Sequence, residues 1–379
     1  MTNDNMPVEG SGNIPVSNES KPLLSRAECN VMRGFAITLI VIDNFTHLIK
    51  GVFLDNEYSY HWFCVQGFLN NLAHPDKILP FNLLSFYCPY GVMLFIFLSG
   101  YGLVLKYEKG NGQNVTHKDF IVSHYNKMFS MQVKGMALVL LFLSLHNAAY
   151  MYPSKELLLQ ILLVGNLNPH QSIEPGPYWF FGMIVEMYII YRLLIYKRKD
   201  AVAVALVVLS LVAMAIMDPK GWKIQYMRIN CFLAILPFCM GVLAARHLNF
   251  NSLSVNRLWP CVGWFVLTFI LLTACKFNFF SWLIMPIFVV TTAVTFVKLL
   301  CRWNLSNNIF SWLGAMSGVL FVVHPAVREV LIGRTNASGN YYGMLFVYLF
   351  VSVGLSIILK PVFGGGKKKQ SPDSALQEK

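Results

Sequence analysis

The sequence predicts an all-α membrane protein, a polytopic bundle of about ten transmembrane helices with both termini in the cytoplasm. Three observations predict it. Of the 379 residues, 56% are hydrophobic and only 13% charged, too little charge to cover the surface of a soluble domain. Apolar runs of roughly 18 residues or more recur from about position 31 to the end, each long enough to cross about 30 Å of hydrocarbon. Backbone groups inside lipid must be satisfied within their own segment, so spans of this length are helices. Finally, the net charge of +12, which would suggest nucleic acid in a soluble protein, sits mainly in loops between apolar runs, where it sets orientation instead.

Taken in order, the spans fall at about 31–50, 86–106, 129–151, 176–194, 201–217, 228–246, 257–275, 280–300, 309–332 and 341–361. An even number of crossings puts both termini on one side. Loops on that side carry Lys106, Lys109, Lys118, Lys127, Arg192 and Lys197–Lys199 among others, and the opposite loops are poorer in cations, which favours cytoplasmic termini. The loop with Lys220, Lys223 and Arg228 runs against the bias. The apolar stretch Glu156–Leu163 is too short to cross and is expected at the interface or as a re-entrant turn.

Three regions follow. Residues 1–28 are polar and carry no charged-then-apolar leader, and they are read as a disordered cytoplasmic tail. Residues 29–363 form the transmembrane domain. Residues 364–379 open with three glycines and three lysines and form a basic, polar cytoplasmic tail. Eight cysteines are scattered with no C-x-x-C pair, so neither a metal site nor a disulfide framework is expected. Gly-rich nucleotide loops, G-x-S-x-G elbows and zinc signatures are absent from the sequence, which argues against a soluble-type catalytic site.

Ionisable groups inside spans are costly, so each is a functional candidate. The first span holds Arg33 at its cytoplasmic end, then Asp43 and His47 near the far end, four apart and so on one helical face. A carboxylate one turn from an imidazole fixes its tautomer and raises its basicity, which suits a general base. The competing reading has Arg33 snorkelling and the Asp43–His47 pair marking the far interface. Arg33 and His47 are fourteen positions apart, about 21 Å along a helix rising ~1.5 Å per residue, which is close to the reach of a pantetheine arm. Glu186 falls mid-membrane and calls for a partner or a polar cavity; Arg328 is expected either to balance it or simply to reach the outer headgroups. His324 precedes Pro325, which frees a backbone carbonyl that His324 could bond; otherwise the histidine has a functional task. Ser99-Gly100 permits close helix approach. His124 and Lys127, in a basic loop, either touch a phosphate or set orientation.

At these residues the chain resembles the acyltransferase-3 family of integral membrane acyltransferases, which O-acylate sugars and other envelope molecules. The matching elements are Met32-Arg33-Gly34-Phe35-Ala36; Gly91-Val92-x-Leu94-Phe95-x-x-Leu98-Ser99-Gly100-Tyr101; Trp179-Phe180-Phe181 with Glu186 and Tyr188; Arg228 with Phe238 and Gly241; and His324-Pro325. They run in family order from about Cys29 to Phe363. Two departures stand out. The family's first-helix histidine, eleven places after its arginine, is Asn44 here, and the family's arginines after the second span give way to His124, Asn126 and Lys127.

The resemblance implies transfer of an acyl group, most simply acetyl, from acyl-CoA to a hydroxyl of a saccharide or lipid-linked acceptor, in the cell membrane and without a metal. It implies donor binding near Arg33 and Lys127. His47 oriented by Asp43 is expected to act as base, with His324 or Glu186 holding the acceptor or stabilising charge and Arg33, Asn44 and Trp179 contributing to substrate binding. A transporter or flippase, and a degenerate relative that only binds, remain as rival readings.

Overall fold

The computed structural model describes residues 21–53, 59–145, 154–169 and 176–363. Most of the tail read at 1–28, the tail at 364–379 and the end of the third span at 146–151 lie outside the described residues. No strand occurs among the described residues, and each of the ten expected spans contains helix there.

Helix α1 (Arg26–Thr46) begins on a capping box, in which the Ser25 hydroxyl accepts from the Glu28 amide and Glu28 accepts from the Ser25 amide. The expected tail boundary at 28 therefore falls inside this helix. Just before it, Leu23 and Leu24 are buried, and the Tyr101 hydroxyl bonds both the amide and the carbonyl of Leu24. Short helices α2 (Trp62–Ala73) and α3 (Leu79–Tyr87) follow on the opposite face, and α4 (Gly91–Leu103) returns through the bundle and ends in a π-helical turn, Val104–Glu108. Then come α5 (His117–Leu145) and α6 (Ser154–Ile161), the latter eight residues long and so too short to cross. Helix α7 (Trp179–Ile190) also ends in a π-helical turn, Tyr191–Ile195. After α8 (Asp200–Ala215), the sixth expected span is broken into α9 (Trp222–Arg228) and α10 (Cys231–His247). The chain closes with α11 (Leu258–Cys275), α12 (Phe279–Leu300), α13 (Asn304–Ser338) and α14 (Tyr341–Phe363).

Seven of these segments are long and apolar enough to cross a membrane. The remaining three expected spans are α1, α7 with its π turn, and α8. The first carries Arg33 and Asp43, the second is interrupted, and the third has 16 residues. The chain is a multi-pass membrane protein.

Two helix pairs form the centre. In α1 and α13, which run parallel, glycine faces backbone on both sides: a Cβ on Gly34 would stand 1.9 Å from the Phe310 carbonyl oxygen, and one on Gly314 2.0 Å from that of Asn30. In α4 and α10, Gly100 and Gly241 do the same against the carbonyls of Phe238 and Phe97, at 2.2 and 2.1 Å. With no hydrophobic force separating helix from lipid, such close packing holds a membrane bundle together. At the far end the Asn336 side chain bonds the Leu48 carbonyl and the Lys50 amide, locking the register of α13 against the end of α1.

The terminal face, where α1 begins, is closed by ions. Arg246 makes a bidentate pair with Glu108 at 2.8 Å for each bond, and reaches Asp200 at 2.7 Å. Tyr191 donates to Glu108, so both π turns meet at one carboxylate. Lys298 pairs with Glu28 at 2.7 Å.

Gly34→Ala tests the central contact. An alanine raises helix propensity by roughly 0.5–1 kcal/mol, but the clash with a backbone oxygen costs about 1–3 kcal/mol or more. The variant is expected to melt lower than wild type in detergent, while Gly263→Ala, where nothing lies within 4 Å, stays neutral or gains. Equal melting of Gly34→Ala and wild type would contradict the packing.

Candidate active site

The parallel pairing of α1 and α13 brings the polar residues of both helices together at the face opposite the termini. Asp43 is buried, and its Oδ2 lies 3.6 Å from His47 Nδ1. The two groups thus face each other on one side of α1, slightly beyond hydrogen-bond length. Such contacts in unliganded enzymes commonly tighten only when substrate is bound.

Asn44 occupies the place of the family's histidine. Its Nδ2 donates to the Ile40 carbonyl at 2.9 Å, and its Oδ1 accepts from Arg328 Nη1 at 3.0 Å. The Arg328 Nη2 also meets Glu329 at 2.5 Å. Sequence reasoning offered Arg328 as the balance for Glu186; the structure gives it to Asn44 and Glu329 instead.

His324 sits one turn before Arg328, fully buried. Its Nδ1 lies 2.9 Å from the Leu320 carbonyl oxygen. A carbonyl only accepts, so Nδ1 carries the proton and Nε2 presents a lone pair. Among the described residues no atom bonds that Nε2. His324 thus lies against the carbonyl of Leu320 and also against that of Phe321, the one that Pro325 frees. Tyr178 anchors the start of α7 beside this turn by donating to the Val322 carbonyl at 2.6 Å, and both Tyr178 and His324 lie within electrostatic reach of Arg328.

Trp179 is buried in the adjoining wall, where its carbonyl accepts from Asn166, which also donates to the Ile229 carbonyl. Glu186 has a structural partner: its Oε2 accepts from the Cys231 amide at 2.9 Å. Cys231 is the first residue of α10, after the break at Ile229 and Asn230, so the carboxylate caps an otherwise unsatisfied helix N-terminus inside the bundle. Neither Trp179 nor Glu186 bonds the Asp43–His47 pair.

A second cluster lies at the terminal end. Arg33 donates to Asn30 at 2.9 Å. Lys127 stands within electrostatic reach of both Arg33 and Lys106. His124 lies beside Lys106 and Lys127; its Nδ1 bonds the Phe120 carbonyl, and its ring stacks on Phe120 at 4.2 Å and meets Tyr188 edge-on at 4.7 Å. Arg33 and Lys127 are thus brought together as the sequence suggested. Lys106 joins them because the π turn after α4 carries it there, and nothing in its sequence context distinguishes it from an ordinary loop lysine. Three neighbouring cations at this end are a charge set of the kind that phosphates meet.

Asn166, which holds a wall of the site, was missed by sequence reasoning because its partners are backbone carbonyls distant in the chain.

A family model described as an acyltransferase domain, the acyltransferase-3 model, matches residues 26–360. Comparison with curated proteins and with solved structures found no match. The matched stretch runs from the first residue of α1 almost to the end of α14 and includes both polar clusters. The chain belongs to the acyltransferase-3 family of membrane acyltransferases.

Proposed function

We propose that the protein transfers an acyl group, most simply acetyl, from acyl-CoA to a hydroxyl of a saccharide or lipid-linked saccharide of the cell envelope. The observation that carries this reading is the family match over residues 26–360. The two polar clusters at opposite ends of α1 support its details. In this reading the chain crosses the cell membrane ten times with both termini in the cytoplasm. Donor phosphates then rest at Arg33, Lys106 and Lys127, on the cytoplasmic side. The thioester reaches the Asp43–His47 end about 21 Å away along the helix.

Chemistry follows from the orientation of each group. His47, held by Asp43, takes the proton from the acceptor hydroxyl. The hydroxyl oxygen bonds to the thioester carbonyl carbon, the carbon–sulfur bond breaks, and the CoA thiolate leaves and takes up the proton. His324 presents a lone pair at Nε2, so in this tautomer it accepts from an acceptor O–H and does not hold an oxyanion. Arg328 is the nearby cation for the charge that develops on the carbonyl oxygen. Trp179 and Glu186 act as supports, one through its backbone and the other by capping α10.

Asn44 at the place of the family's histidine favours a second reading, a relative that binds acyl-CoA or glycan without turnover. Purified protein in proteoliposomes, given labelled acetyl-CoA and envelope glycans, separates the two. Transfer of label to glycan is expected, with His47→Ala reducing the rate about 10²- to 10⁴-fold. Binding without transfer in folded protein would leave only the second reading.

Lys127→Ala is expected to raise KM for acetyl-CoA about tenfold with little change in kcat, as loss of one charge-assisted contact among three implies. An unchanged KM in the Lys106→Ala, Lys127→Ala double variant would remove the donor site from this cluster of cations.

A further inference from the structure

Between α1, α4, α11 and α12 lies an apolar cavity of about 180 Å³, lined by none of the residues of the two polar clusters. Phe35 and Leu39 of α1 line one wall, and Asp43 follows them at the same four-residue interval, on the same stripe of the helix. Tyr87 and Tyr90 frame the far mouth. Cys88, between these two, lies within electrostatic reach of Asp43. The cavity thus leads from the acyl-transfer end back along α1 towards the terminal face.

Packed rings form its wall and floor. Tyr87 stacks on Phe269 at 5.1 Å, Phe269 on Phe265 at 6.1 Å and Phe265 on Phe296 at 5.6 Å, and Phe296 meets Phe35 at 4.9 Å to form the floor. At the mouth, the ammonium of Lys276, in the turn between α11 and α12, stands 4.7 Å from the Tyr90 ring and 3.7 Å from that of Phe86. Two hydroxyls of the wall are already engaged: Tyr87 shares a hydrogen bond with Thr273 at 3.2 Å, and Thr292 donates to Thr268 at 2.9 Å. The lining therefore offers a guest mainly apolar contact.

Size selects the guest. An apolar cavity of about 150 Å³ admits benzene, so one slightly larger takes roughly six carbons. From Asp43 to Phe35 is about 12 Å along the helix, at ~1.5 Å per residue. A membrane lipid tail, which extends through half of a core about 30 Å thick, exceeds both measures. A short acyl chain fits them. Lys127 belongs to α5, which does not line the cavity, so the phosphate end of a donor and its acyl end do not compete for one space.

We propose that this cavity receives the acyl chain of the donor, so that the preferred donor is a medium-chain acyl-CoA of roughly six carbons. The thioester carbonyl lies at Asp43 and His47, and the chain runs from Tyr90 down to the Phe35–Phe296 floor. The acceptor oxygen bonds to the carbonyl carbon, the carbon–sulfur bond breaks, and the thiolate leaves and takes up the proton that His47 removed. Acetyl undergoes the same step but leaves the cavity unfilled. The proposal rests on the acyl-transfer reading, while the chain-length preference it describes is measured separately.

The test uses the full chain in lipid nanodiscs. Calorimetry compares S-ethyl-CoA with S-hexyl-CoA, thioethers that cannot transfer, against empty nanodiscs as the blank. Transfer to envelope glycans is measured with labelled acetyl-, hexanoyl- and dodecanoyl-CoA. Each methylene that enters raises affinity about fourfold, so S-hexyl-CoA is expected to bind about tenfold or more tighter than S-ethyl-CoA. Among the three donors kcat/KM is expected to be highest for hexanoyl-CoA. Ala293→Leu fills the cavity and is expected to lower the hexanoyl-to-acetyl ratio about tenfold. Phe296→Ala removes the floor and is expected to raise the dodecanoyl-to-hexanoyl ratio about tenfold. A ratio within one variant does not depend on how much of it folds, and the wild-type comparison decides should neither variant fold. Equal binding of the two thioethers by wild type would overturn the proposal and leave the cavity to lipid. Variants that keep the wild-type ratios would overturn it too. Acetyl transfer with no chain-length preference would remove the acyl cavity and keep the enzyme; chain-length preference in binding without transfer would refute the enzyme and leave the cavity's occupant standing.

Discussion

The contact of α1 and α13 through Gly34 and Gly314 is the constraint on which the rest depends. Backbone lies against backbone at distances no side chain permits. Because the helices run parallel and touch near their starts, their far halves stay in register for about four more turns. That register brings Asn44 opposite Arg328 and lets Asn336 clasp the chain after α1. A slip of one turn would separate these pairs and carry His324 away from the level of Asp43 and His47. The functional end is therefore specified by glycines at the other end of the same pair.

The buried polar groups follow the rule that desolvated charge must be met. Glu186 is met by the amide of Cys231, Arg328 by Asn44 and Glu329, Arg246 by Glu108 and Asp200. Each of these breaks or tightens a helix usefully: the cap stabilises the start of α10, and the Glu108 network gathers two π turns. His324 differs. Its Nδ1 is committed to a carbonyl, which fixes the tautomer, while Nε2 meets no donor among the described residues. A buried acceptor without a partner costs about 1–3 kcal/mol, and a ligand hydroxyl is the kind of group that offsets it.

Most of the fold was legible in the sequence because apolar run length reports a span directly, and seven helices long and apolar enough to cross a membrane occur among the described residues. The tail boundary was less so. Residues 22–25 are polar or short enough to read as tail, yet Leu23 and Leu24 pack inside and Tyr101, some 77 positions on, bonds Leu24. Helical spacing showed that Asp43 and His47 share a face, and it sufficed because both lie on one helix. It failed for Glu186, whose partner is a main-chain amide created by a break in another helix. The same limit hid Lys276: a lysine in a short turn reads as a solvated loop charge, and only the folding of Phe86 and Tyr90 around it reveals burial.

Asn44 offers the sharpest view of how this chain differs from its family. A histidine there, placed on the side of α1 that meets α13, would stand against Arg328, a cation that disfavours protonation of an imidazole. An asparagine accepts from the same arginine with no change of charge and keeps the two helices tied. In the proposed reading, the pair at positions 43 and 47 sets the base one turn further along and gives it a carboxylate neighbour on its own helix. The bond that holds the helices together and the proposed proton-transfer pair are then separate, so each is free to change without the other.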